Sequence, residues 1–110
     1  MNIAQIAKMA QQMQSQMAQA QEELKETTLD ATAGGGAVRV VITGAGEVRA
    51  IEIDPSAVDP AEVEMLQDLV LAAVNDAIAR AKELERERMG RIAGGLGIPG
   101  MPGLPGLTSR

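Results

Sequence analysis

The sequence predicts an α+β protein of the order α-β-β-β-α, a small antiparallel sheet flanked by two long helices. Three observations carry that expectation. Residues 3–26 contain no glycine or proline and are rich in Ala, Gln, Met and Glu, all good helix formers. Residues 27–53 hold three short runs of β-type sequence parted by the clusters "GGG" and "GAG", the signature of strands joined by turns. From residue 60 to about 89 a second stretch with helical periodicity opens on a proline and closes among arginines.

In the first helix, Ile3, Ile6, Ala10, Met13, Met17, Ala20 and Leu24 recur at alternating spacings of three and four. That is the narrow seam of a helix lying along another helix, and it predicts packing against a second helix. The other faces carry Gln5, Gln11, Gln12, Gln14, Gln16, Gln19 and Gln21, uncharged groups suited to water or to hydrogen bonding with phosphates and base edges.

The strands are expected at 27–33, 37–43 and 47–53. In the middle one, Val38, Val40 and Ile42 share a face while Arg39, Val41 and Thr43 share the other. In the third, apolar residues fall at Val48 and Ala50 and then shift phase to Ile51 and Ile53, which predicts a bulge or a strand covered on both faces. Neither glycine cluster leads into a helix and neither carries the lysine of a phosphate loop, so both read as turns.

For the second helix, Asp59 is the expected N-cap, Pro60 the first helical residue and Glu62 the partner in a capping box. Its apolar stripe runs through Val63, Leu66, Val70, Ala73, Ala77 and Leu84, widened by Leu69, Val74, Ile78 and Ala81. Past Ile78 the stripe acquires arginines, so the core is expected to end there while the helix continues. A helix of about 24 residues spans ~36 Å and one of about 30 spans ~45 Å, whereas strands of about seven residues span ~23 Å. The start of the first helix and the end of the second therefore overhang the sheet and can pair as an antiparallel arm. A lone sheet of this size leaves edges exposed, so two subunits are expected to pair through their sheets. The domain should occupy residues 1–91, followed by a Gly/Pro-rich tail at 92–110 whose Ile98, Met101, Leu104 and Leu107 are available to touch a partner.

Composition narrows the chemistry. The 110 residues include no His, Cys, Trp, Tyr or Phe, which removes the usual metal, thiol and general-base constellations. No paired-carboxylate motif is evident, so no enzyme, cofactor, metal or small-molecule substrate is expected. The lack of cysteine suits a reducing cytosol. No apolar run approaches the ~18 residues of a membrane span, and residues 1–20 lack a signal peptide's apolar block, so a cytoplasmic protein without membrane contact is expected.

The formal net charge is −5, but it is unevenly distributed. Residues 1–21 carry only Lys8; residues 77–91 carry five basic and three acidic groups; residues 22–76 carry three basic and twelve acidic groups. The body is acidic and the predicted arm is basic. Lys8, Arg80, Lys82, Arg86, Arg88 and Arg91 are the candidate contacts to a polyanion, with Arg80, Arg88 and Arg91 placed on the packing side of the helix and Lys82 and Arg86 on the other. The alternative is a solvated helix end, with Glu83, Glu85 and Glu87 interleaved for solubility; without aromatic platforms, single-strand binding by stacking is disfavoured, and any DNA binding would rest mainly on backbone and shape contacts. The competing reading is a protein-interaction module that recruits replication or recombination proteins through the Met stripe or the apolar tail.

The stretches "GGGAVRVVITGAGEVRAIEIDPS" and "MLQDLVLAAVNDAIARAKELERERM" resemble the YbaB/EbfC family of bacterial nucleoid-associated proteins. The likeness includes the glycine turn, the Ile53-Asp54-Pro55 junction and the Asn75-Asp76-Ala77 segment, with a Met/Gln-rich first helix before them and a Gly/Pro/Met tail after. It implies a non-catalytic, cofactor-free protein that dimerises through its sheets, with helical arms that embrace duplex DNA like tweezers. Asn75, Asp76 and the junction read as structural rather than as DNA contacts.

Overall fold

A computed structural model describes residues 2–95. Helix α1 spans Ile3–Glu26, strands β1, β2 and β3 span Thr28–Ala33, Val38–Thr43 and Val48–Ile53, and helix α2 spans Val63–Gly95. The expected order is present, with each strand about a residue shorter than predicted. Two differences lie at the ends of α2. Pro60–Glu62 forms a 3₁₀ turn rather than the first turn of the helix, with the Asp59 side chain accepting from the Ala61 amide at 2.9 Å. The helix also runs on to Gly95, past its expected end at 89, so residues 92–95 of the predicted tail are helical. The tail's Ile98, Met101, Leu104 and Leu107 lie outside the described residues.

Helix α1 starts on a capping box that sequence reasoning missed. The Gln5 amide donates to Asn2 Oδ1 at 2.8 Å, and the Asn2 amide donates to Gln5 Oε1 at 3.1 Å. The helix ends where the Thr27 hydroxyl and amide both donate to the Glu23 carbonyl. The sheet is an antiparallel meander in the order β1-β2-β3. Leu29 lies opposite Ile42, Ala31 opposite Val40 and Ala33 opposite Val38; across the other side, Val40 lies opposite Ile51 and Val38 opposite Ile53. Directly paired residues share a face, so one face of all three strands is apolar. The predicted phase shift is a bulge: Val41 pairs with Ala50 and Ile42 with Val48, which leaves Arg49 as the extra residue.

Helix α2 lies across β1 and β2 on that face. Ala73, Ala77 and Ala81 are buried against Ala31, Val38, Val40 and Ile42. Small residues at four-residue spacing let the helix axis approach the sheet, and each Val or Ile so buried contributes about 1.5–3 kcal/mol. Ala81 is buried and Leu84 half-buried, so the core extends past Ile78, beyond its expected end.

The α1 seam is covered along part of its length. Ala20 and Leu24 are buried and Met13 is half-buried, but Ile3 is 85% exposed and Ile6 and Met17 are exposed as well. Among the described residues, the buried positions of α1, Ala20 and Leu24, lie in its C-terminal half. The molecule is long and thin, with principal extents of 69 × 34 × 16 Å.

Candidate nucleic-acid interface

The basic residues of α2 sit on a helix whose surface is also rich in carboxylates, and pairing separates them into classes. Arg80 Nε donates to Asp76 Oδ2 at 3.1 Å, Arg86 pairs with Glu83, and Arg91 Nη2 lies 3.6 Å from Glu87 Oε1. These are one-turn pairs along one helix, well exposed to water, and each is worth little on its own. Arg88 is different. Its side chain is only 26% exposed and reaches across to Glu23 of α1 at 3.5 Å, so it ties the two helices together. Of the three arginines expected on the packing side, Arg88 packs; Arg80 and Arg91 are exposed and bind carboxylates of their own helix. Among the described residues, Lys8 and Lys82 are the cations without a carboxylate partner.

Lys8 lies on the first half of α1, beside Gln5, Met9 and Gln12. Lys82 lies on α2 next to the β2–β3 turn, where Gly44, Ala45, Gly46, Ile78 and Glu85 border a shallow notch of about 270 Å³ with it. Sequence reasoning did not connect Lys82 to this turn, since the two are far apart along the chain. It also left out Arg39 and Arg49. Arg49, at the bulge, pairs with Glu47 at 3.1 Å.

Arg39 stands on the sheet face away from α2 and bridges all three strands. Its Nε donates to Asp30 on β1 at 2.9 Å and its Nη1 to Glu52 on β3 at 3.0 Å. The hydrogen bond to Asp30, then the bond to Glu52 and its charge, raise the guanidinium above its ordinary value. That face thus carries one arginine held between two carboxylates. At the junction after β3, the Ser56 amide and hydroxyl both donate to Asp54 and hold its carboxyl below the usual aspartate range. The Ile53-Asp54-Pro55 junction is therefore a capped 3₁₀ turn, a structural element.

The apolar face of β3 has no such satisfaction. Ile51 is 47% exposed, and Val48 and Ile53 are also exposed, because α2 covers mainly β1 and β2. Beside them, Val63, Leu66, Val70, Leu71 and Val74 of α2 border, with Ile53, a groove of about 470 Å³ whose walls are almost wholly apolar. This apolar surface is contiguous and lies next to an unpaired strand edge. Among the described residues no group of three or more carboxylates is placed to hold a metal ion, and no helix is long and apolar enough to cross a membrane.

Comparison with known proteins agrees with this arrangement. The chain is 54% identical over 96 residues to a nucleoid-associated protein of Acetivibrio thermocellus, a match covering 87% of this chain and 85% of the relative. It is 50% identical over 98 residues to a nucleoid-associated protein of Pelotomaculum thermopropionicum, covering 89% and 93%. Its fold matches the crystal structure of an uncharacterized protein from Helicobacter pylori with a TM-score of 0.71 and 28% identity, over 79% of this chain and 91% of the other. The profile of the YbaB/EbfC DNA-binding family matches residues 1–96, a span that takes in both helices and the whole sheet, and the chain belongs to that family.

Proposed function

We propose that this protein is a non-enzymatic homodimer that binds double-stranded DNA with low sequence specificity and alters its conformation. Its setting is the cytoplasm, on the nucleoid, with roles in nucleoid organisation, gene regulation or DNA protection. The observation that carries this reading is the separation of charge along an elongated molecule of a DNA-binding family. The cations of α2 lie on the arm, and the twelve acidic groups of residues 22–76 lie largely on the body.

Self-association follows from the surface left open by α2. A two-fold partner presents the same strand edge and the same groove, so Val48, Ile51, Ile53 and Leu71 of each copy can cover their counterparts. The apolar groove is thereby used within the dimer, which favours DNA binding over the recruitment of another protein. The phosphate contacts are drawn from Lys8, Arg80, Lys82, Arg86, Arg88 and Arg91, not all of which face the duplex. Arg88 enters that set while also holding the two helices of the arm together.

The test is duplex binding by the full-length protein across a salt series, with two unrelated sequences. The expected result is binding at low salt that weakens steeply as salt rises, with a slope of about −0.9 per neutralised phosphate and similar affinity for both sequences. No binding at low salt would defeat the proposal.

A further inference from the structure

The arm has two opposite sides, and they are not equivalent. Leu71, Val74, Ile78, Lys82, Glu85 and Met89 follow one another at spacings of 3, 4, 4, 3 and 4. At about 100° per residue these positions form one stripe along α2. Asp76, Arg80, Glu83, Glu87 and Arg91 follow at 4, 3, 4 and 4 and form a second stripe on the opposite side. The first stripe borders β3 and its turn: Leu71 and Val74 share a groove with Ile53, and Ile78, Lys82 and Glu85 share a notch with Gly44, Ala45 and Gly46. The second stripe carries the Arg80–Asp76 and Arg91–Glu87 pairs.

We infer that Lys82 and the Ala45 amide of the Gly44-Ala45-Gly46 turn form a phosphate contact inside the cleft between the two arms, while Arg80 and Arg91 face away from the duplex. This rests on the homodimer and the DNA reading proposed above. When two copies meet across β3 and the apolar groove, the stripe continuous with that groove faces the partner arm. Lys82 is its only cation, and among the described residues no carboxylate holds it. A phosphate meets Lys82 without first displacing an ion pair, which it must do at Arg80 or Arg91. Of the turn's three amides, Gly44 donates to the Thr27 carbonyl and Gly46 to the Thr43 carbonyl, which leaves that of Ala45, an exposed residue with a short side chain, for a phosphate beside the lysine. Glu85 borders the same notch and opposes the contact.

Full-length Lys82→Ala, Arg80→Ala, Arg91→Ala, Ala45→Glu and Glu85→Gln proteins, each checked for dimer mass and helical content, are compared with the wild type on a mixed-sequence duplex across a salt series. Lys82→Ala is expected to weaken binding about tenfold and to lower the salt slope by about two per dimer, one phosphate per subunit. Ala45→Glu should weaken binding by a similar factor, Glu85→Gln should strengthen it, and Arg80→Ala and Arg91→Ala should stay within about twofold of wild type. If the wild type binds but Arg80→Ala or Arg91→Ala costs as much as Lys82→Ala, this assignment is wrong and the DNA reading stands. A monomeric wild type, or one that does not bind, overturns both.

Discussion

At the scale of single residues, Gly44 has the most demanding position. Its amide donates to the Thr27 carbonyl at 2.8 Å, closing the end of β2 onto the start of β1. A Cβ at this position would lie 2.8 Å from a Leu24 methyl, 3.1 Å from the Leu24 carbonyl oxygen and 3.1 Å from a Leu84 methyl. Both helices and the sheet therefore meet at a residue with no side chain. Leu24 is fully buried. Gly44→Ala is expected to cost about 1–3 kcal/mol in denaturant unfolding, the usual range for overpacking a closed site. A loss below about 0.5 kcal/mol would show that the junction can shift. In the sequence this glycine reads only as part of a turn. Its packing role comes from Leu24 and Leu84, which are remote from it along the chain.

At the scale of elements, β3 and α2 define what the fold leaves uncovered. The strand was readable from its Val and Ile residues, and its phase shift signalled the bulge that Arg49 occupies. Which of its faces lies open was not readable, because alternation is the same whether or not a helix covers it. Ile53→Asp is expected to convert the proposed dimer to monomer in sedimentation analysis while preserving the helical circular dichroism, since the residues buried under α2 come from β1 and β2. A variant that stays dimeric at the same concentration would place the interface elsewhere. The α1 seam teaches the reverse lesson. Its spacing predicted a helix correctly but not the extent of contact, which depends on where α2 crosses.

At the scale of the whole molecule, the net charge is a poor guide to what a polyanion meets. Glu62 and Glu64 stand about twenty residues before Lys82, which is ~30 Å along a helix. The Debye length at 0.1 M salt is about 10 Å, so these two carboxylates are largely screened from a duplex at the arm, unlike Asp76 and Glu23, which touch Arg80 and Arg88. The double variant Glu62→Gln, Glu64→Gln is therefore expected to change DNA affinity by less than about twofold at 0.1 M salt, although it removes two negative charges. A tenfold gain would mean that total charge, not its placement, governs binding. The thin, elongated shape makes this separation possible, as a compact body of the same composition would bring its acidic groups nearer the cations.

The sequence by itself determined the kinds of elements, their order, the glycine turns and the placement of basic residues late in the second helix. These follow from propensity, periodicity and local charge, all properties of neighbours along the chain. The tertiary structure alone decided that β3 keeps an open apolar face, that Arg88 is drawn onto Glu23 and that Lys82 comes beside the Gly44–Gly46 turn. Each of these depends on distances between residues far apart in sequence. Those distances are set by how α2 lies on the sheet, which no local pattern encodes.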